Sequence, residues 1–516
     1  MTPFPKMQAG VLPLSCEDGR KKDDVAKKVS EENAKVERGR EKGQARFRTR
    51  RAHRVGSVDM IDVTDQVSHA AHQQRLKDEA AEAPTSSTRK PSSASAQARA
   101  PRKRRQAKKT RQSQFGKTLT HWANSDRIAG IIMLCFAAAG LLIANLPVIG
   151  PAFEHLREFV INVPFTNIRL DIADWVQDGV LTLFFLVVGL ELKQELTHGS
   201  LSNPKRAAVP MIAAVGGMVA PPIVYLSVVS LMKAAGDATA LNPQALSGWA
   251  VPTATDIAFS LAVLAIFSKG LPSEIRGFLL TLATVDDLLG ILLIAFLFTS
   301  VNQWYWFVLM GACALLWAWM SRLKKVPWPL VALLGIVMWS MTFEAGIHPT
   351  LSGVIFGLLV PSKRMHGERT TRAHRWATRL NPISALFAVP LFALFATAIP
   401  FGGMSWSVLI SPIVLGIVLA LVIGKPLGVM VASWISVHLF NLELAGGLKI
   451  RDMIGMACAC GIGFTVSFLI ASLAFSHPIL VEESRLAVLL GSVLSAVVAA
   501  VVLTIQSRHP KQRWQQ

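Results

Sequence analysis

The chain is 516 residues long, 52% of them hydrophobic and only 17% charged, with a mean hydropathy of +0.42. Soluble domains carry about 25% charged residues, so this composition excludes an ordinary globular enzyme or soluble binding module and fits a body that faces lipid. The formal net charge of +20 does not by itself indicate nucleic acid, because residues 1–117 hold 28 Lys and Arg against 14 Asp and Glu and carry most of the excess.

Residues 1–117 read as a disordered basic tail, rich in Lys, Arg, Ser, Ala, Gln and Glu and without sustained apolar periodicity. No apolar stretch follows Met1, so no secretory signal is expected. The densest run, Arg102 to Arg111, suits anionic lipid on a cytoplasmic face. It serves equally as a solvated tail that keeps the N-terminus inside. The run has no aromatic residue for base stacking, so no nucleic-acid partner is expected. Cys16, Cys135, Cys313, Cys458 and Cys460 are scattered, and no His or further Cys completes a metal set beside the last two. Neither disulfides nor a resident metal or cofactor is expected.

From Arg127 onward about twelve apolar stretches follow, most near the roughly 20 residues that span a bilayer. Their cores are Ile128–Leu146, Trp175–Leu192, Ala208–Leu231, Trp249–Ile266, Arg276–Phe298 and Trp304–Met320. The series continues through Trp328–Thr342, Gly346–Val360, Ile383–Ile399, Val408–Val431, Met453–Leu473 and Leu486–Ile505. With the N-terminus inside, the cytoplasmic loops hold 16 Lys and Arg and the outer loops 4, which predicts an even number of spans with both termini cytoplasmic. The expected organisation is a tail (1–117), an all-α membrane domain (118–508) and a short C-terminal tail (509–516).

A charge at bilayer depth costs several kcal/mol, so each one inside a span is a candidate functional group. Five qualify: Asp178, Asp256, Asp286, Asp287 and Lys425. Asp286 and Asp287 lie mid-way along Gly277–Phe298, with about two apolar turns on either side. Adjacent helical residues point about 100° apart, so both reach one cavity only if it is wide. Like charges side by side make the second ionisation costly, and burial acts in the same sense. Such a pair can hold a proton near neutral pH and release it when a small hard cation binds the oxygens. The plainer alternative is a pair neutralised by an interior cation. Lys425, in LALVIGKPLGVMVASW, is available as a salt-bridge partner for Asp287 or Asp286, as a proton carrier, or as a lysine snorkelling to the interface. Pro252, Thr253, Thr255 and Asp256 interrupt one span; Gly461, Gly463, Thr465 and Ser467 interrupt another. Paired interruptions point to crossing broken helices with an ion site at the break, although small residues also serve helix packing.

Taken in order, DGVLTLFFLVVGLELKQEL from Asp178 with HGSL after it, GWAVPTATDIAFSLAV, LATVDDLLGILLIA, GKPLG and CGIGFTVSFLIASLAF closely resemble the NhaA family of sodium/proton antiporters. The resemblance runs from about Trp122 to the last span. It implies twelve helices in inverted repeats with two discontinuous crossing helices, an architecture for which that family is itself a standard example. It also implies a non-enzymatic exchanger of the bacterial inner membrane, driven by the proton gradient. Such a protein would export Na⁺, and Li⁺ as well, by alternating access, and would serve pH and sodium homeostasis; a homodimer is compatible with this. Carried over by position, Asp286 and Asp287 match the ion-binding and proton-exchanging pair, the second the more directly ion-ligating. Thr255 and Asp256 match the polar pair at the break, and Lys425 the essential lysine. Asp178, Glu191 and Glu195 match acids of the second helix, the last two at a cytoplasmic funnel associated with pH response. His348 matches a histidine of the eighth helix and also reads as a hydrogen-bonded structural histidine.

Two departures stand out. Ala377, Thr378 and Asn381 occupy places where members often carry an acid and histidines, and Ala396 replaces the Asn of the FANAG pattern. The expected consequence is a shifted or shallower pH activation of exchange. A pH profile that coincides with those of acid- and histidine-bearing members would contradict it.

Overall fold

The computed structural model describes residues 126–508, apart from 165–167, 238, 241, 269–270, 301–302, 366, 403–404 and 445–446. The basic tail with Arg102–Arg111, Cys16 and the segment 509–516 lie outside the described residues.

Apolar segments in a bilayer must satisfy their backbone N–H and C=O groups internally, and helices do this locally. α1 (Asp126–Ala144) turns through 109° into α2 (Ile149–Arg157). Two three-residue strands follow, β1 (Val160–Asn162) and β2 (Arg169–Asp171), paired antiparallel with Ile161 opposite Leu170. Three residues are too few for alternation to register in a sequence, so this ribbon is unannounced. Next come α3 (Ile172–His198) and α4 (Pro204–Ala234). A 3₁₀ segment (Pro243–Thr253) leads into α5 (Ile257–Phe267), and α6 (Ser273–Leu297) carries the adjacent acids. α7 (Tyr305–Met320), α8 (Trp328–Glu344) and α9 (Thr350–Leu359) are shorter. The chain closes with α10 (Arg372–Ala396), α11 (Pro412–His438), α12 (Ile450–Cys460), α13 (Phe464–Ala474) and α14 (Pro478–Ser507).

Among the described residues, six helices (α3, α4, α6, α10, α11 and α14) are each long and apolar enough to cross a membrane, and nine spans result if each bent pair counts as one. Two of those pairs are the interrupted segments: Pro243–Thr253 meets α5 at 52°, and α12 meets α13 at 50°. The stretch expected to span at Gly346–Val360 is helical only over Thr350–Leu359. Gly346 adopts a left-handed φ of +76° just past α8, and Pro349 removes a backbone donor before α9.

Three helices contain a π turn, at Trp175–Val180 in α3, Ser384–Ala388 in α10 and Ala420–Gly424 in α11. The last two have a proline just beyond them, Pro390 and Pro426. Each lacks the N–H that a regular helix would direct to the carbonyl four residues back, at Leu386 and Val422, so the ladder is free to widen there.

Without a strong hydrophobic drive between helices in lipid, close approach depends on small residues. α3 meets α9 where Gly189 faces Gly357, and a Cβ on Gly357 would lie 2.6 Å from the Gly189 carbonyl carbon. α4 meets α11 in the same way through Gly216 and Gly428. Gly357→Leu is therefore expected to force α3 and α9 apart and destabilise the fold by about 1–3 kcal/mol. Gly311→Leu, on an exposed face of α7 where a Cβ meets nothing within 4 Å, is expected to be silent. Thermal unfolding of the two purified variants in one detergent checks the contrast.

Candidate functional site

Two helices that stop inside the protein leave backbone donors and acceptors to satisfy. At the first break, Asp256 has an extended backbone (φ −83°, ψ 106°) and caps α5 by accepting from Phe259 N at 2.9 Å through Oδ1. Its other oxygen, Oδ2, accepts from Thr465 N at 3.2 Å, in the first turn of α13. One buried carboxylate thus caps two helix starts and faces the positive ends of both dipoles. The carbonyls that end α12 are met from the first break. Thr255 Oγ1 donates to Cys460 O (3.0 Å), Ser260 Oγ to Ala459 O (2.8 Å) and Asp256 N to Ile462 O (2.7 Å). Ser492 Oγ on α14 accepts from Gly463 N and Phe464 N, both at 3.3 Å.

Lys425 follows the π turn of α11 and is fully buried. Its Nζ donates to Asp286 Oδ2 at 2.8 Å and to the Thr253 carbonyl at the end of the 3₁₀ segment. The ammonium stays inside the protein and does not snorkel, and its carboxylate partner is Asp286. Asp287 is turned elsewhere, as the 100° between adjacent helical positions requires. It lines a cavity of about 200 Å³ together with Thr255, Asp256, Thr465, Glu191, Asn381 and Ser384. Among the described residues, Asp287 Oδ1 and Asp286 Oδ1 have no hydrogen-bond partner. A buried carboxylate oxygen left without a donor is costly unless a proton or a cation serves it.

The remaining sequence-predicted residues divide between two places. Glu191 lines the cavity. Glu195, one turn on, accepts from Ser200 N (2.9 Å) and Ser200 Oγ (3.0 Å), and Ser200 Oγ lies 2.7 Å from Thr281 Oγ1 on α6. Asp178 does not line the cavity. Its Oδ1 is 3.3 Å from His348 Nε2, and His348 Nδ1 is 2.7 Å from Thr350 Oγ1. Trp339 Nε1 donates to the Asp178 backbone carbonyl at 2.8 Å. Sequence reasoning overlooked Ser384 and Ser492, since a serine inside an apolar run carries no charge to mark it. In the sequence Asn381 stands out only as a departure from a family pattern.

The family model described as Na⁺/H⁺ antiporter 1 matches residues 120–503, which takes in every element around the cavity. The chain belongs to this family. Among its relatives, the Na⁺/H⁺ antiporter NhaA of Bifidobacterium adolescentis is 56% identical over 400 residues, covering 76% of this chain and 88% of the relative. The Na⁺/H⁺ antiporter NhaA 3 of Streptomyces coelicolor is 40% identical over 388 residues, covering 74% and 79%. The Na⁺/H⁺ antiporter NhaA of Thermobifida fusca is 38% identical over 403 residues, covering 76% and 95%. The antiporter-family match begins at residue 120, just after the basic tail.

Removing one partner of a buried ion pair strands the other charge. Lys425→Met is expected to lower stability by about 3–5 kcal/mol by leaving Asp286 uncompensated. Adding Asp286→Asn should recover more than half of that loss. Thermal unfolding of the single and double variants measures the coupling, and additive losses would contradict it.

Proposed function

We propose that the protein is a secondary Na⁺/H⁺ antiporter of the bacterial inner membrane, with Asp287 as the carboxylate that alternates between a proton and a sodium ion. One observation carries the reading: Asp287 lines the cavity beside the helix breaks, while its neighbour Asp286 is held by a buried ammonium. A protonated Asp287 is neutral and needs no counter-charge. Deprotonated, it offers a hard anionic oxygen that suits a small cation stripped of part of its water. Proton and cation compete for one site, so loading one side with Na⁺ and the other with H⁺ exchanges them without a covalent intermediate.

Asp286 and Lys425 act as the adjustable half of the site. While Lys425 neutralises Asp286, a single charge remains beside the cavity. When a cation binds to Asp287, Asp286 is drawn to share it, and Lys425 retains the Thr253 carbonyl as an alternative acceptor. Thr255 and Asp256 hold the crossing, whose two helix starts and carbonyl ends supply fixed dipoles around the ion. Alternating access then consists of a rocking of helix bundles about this crossing. Glu191 belongs to the cytoplasmic approach to the cavity, and Glu195 couples that approach to α6 through Ser200 and Thr281. The Asp178–His348 pair is a separate element that responds to pH.

In the same reading residues 118–508 form twelve spans in inverted repeats, the short apolar helices α7, α8 and α9 adding three to the nine counted above. The loop charges support cytoplasmic termini. Residues 1–117 and 509–516 are tails, and the basic run Arg102–Arg111 suits either anionic lipid or a solvated role. Li⁺ is the second cation expected, and two copies can pair without altering the site.

The test measures dissipation of a pH gradient in everted membrane vesicles after addition of Na⁺, Li⁺ or K⁺. Wild type is expected to respond to Na⁺ and Li⁺, Asp287→Asn to fall to background, and Asp286→Asn to lose most of its rate. Near-wild-type Na⁺ exchange in Asp287→Asn would overturn the assignment.

A further inference from the structure

The cavity wall contains more oxygen than the acids alone supply. Most of its polar groups are already committed. Asp256 uses both carboxylate oxygens as helix caps, and the Thr255 hydroxyl donates to Cys460 O. Ser384 and Asn381 differ. Both line the cavity from α10, three residues apart and therefore on one face. Ser384 is 2% exposed and opens the π turn Ser384–Ala388. Neither side chain makes a hydrogen bond to another described residue. Ser384 thus presents a buried hydroxyl, without a hydrogen-bond partner among the described residues, to the cavity that Asp287 lines from α6.

The size of the cavity sets what that is. About 200 Å³ holds about six water molecules at about 30 Å³ each, enough for a small cation with part of its hydration shell. One carboxylate supplies at most two of the oxygens that a hard cation requires, and neutral hydroxyl and amide oxygens complete such shells. We propose that Ser384 Oγ and the Asn381 side-chain oxygen are specificity-determining ligands of the transported cation, taking up part of the shell of the ion at Asp287 and setting the preference between Na⁺ and Li⁺. The proposal rests on the reading of Asp287 as the ion carboxylate.

The test uses the full chain in proteoliposomes, with Ser384→Ala, Ser384→Thr, Asn381→Ala and Asp287→Asn compared with wild type. Exchange is measured against Na⁺ and Li⁺ concentration, with ²²Na⁺ binding and thermal unfolding followed in parallel. Ser384→Ala should raise the apparent KM for Na⁺ about 3–10-fold, as expected for loss of one polar contact. The increase should exceed any change in maximal rate, alter the ratio of Na⁺ to Li⁺ KM and leave the Tm in place. Asn381→Ala should act in the same direction, and Ser384→Thr, which keeps the hydroxyl, should restore the wild-type KM. An unchanged KM or an unchanged Na⁺/Li⁺ ratio in both alanine variants, with Asp287→Asn inactive, overturns this inference and leaves the Asp287 reading standing. A KM rise that Ser384→Thr does not reverse, accompanied by a lower Tm, also overturns it, as a packing effect. Active Asp287→Asn removes the reading and the inference together.

Discussion

Asp256 accepts N–H groups from the starts of two different helices, one through each carboxylate oxygen, and the two breaks stay in register because of it. A helix that stops inside an apolar protein exposes orphan donors at one end and orphan acceptors at the other. Here the orphans of each break are answered largely by the other. Thr255, Asp256 and Ser260 supply donors to the carbonyls that end α12, and Thr465 returns a donor to Asp256. The irregular backbone is therefore tolerated because it is paired, and the paired breaks form one wall of the cavity.

The ion pair beside the crossing has a different logic. A buried salt bridge is weak evidence of stability, because a well-packed apolar pair of similar volume is often as good. Lys425 and Asp286 are retained here at a desolvation cost, next to a second carboxylate that has no cation of its own within the described hydrogen bonds. That asymmetry between chemically identical neighbours leaves one acid in a charge pair and the other facing the cavity. The glycines of α11 contribute by letting it approach α4 closely at Gly216 and Gly428, one turn beyond Lys425.

Polar links away from the cavity tie helix ends together. Arg485 Nη2 on α14 donates to Ser472 Oγ at 2.8 Å, and Ser472 reaches Gln177 Oε1 at 3.0 Å in the π turn of α3. Asn145, at the α1–α2 bend, donates to Ile399 O at 2.9 Å and accepts from Phe401 N at 2.7 Å. These contacts connect helix ends and leave the cavity walls untouched.

Much of this is legible in the sequence. Five ionisable residues in apolar surroundings, two interrupted spans and a basic tail are local facts of composition, and they locate the site to within four segments. Residue type and spacing left the division of labour between Asp286 and Asp287 open, and only the family resemblance favoured Asp287 as the ion ligand. A helix buried on all sides has no polar face, so periodicity cannot tell which acid turns toward Lys425, 138 or more residues away in the chain. The same limit hid Ser384 and left Asn381 as no more than a mismatch, because an uncharged polar residue in an apolar run becomes conspicuous only when a cavity opens beside it. It also left Asp178 grouped with the other intramembrane acids, although its neighbour is His348. The sequence alone determined which groups stand in the wrong solvent and where the helices must break, since both depend on residue type and near neighbours. Which of those groups share a cavity is decided by packing between distant helices, and only the tertiary structure contains it.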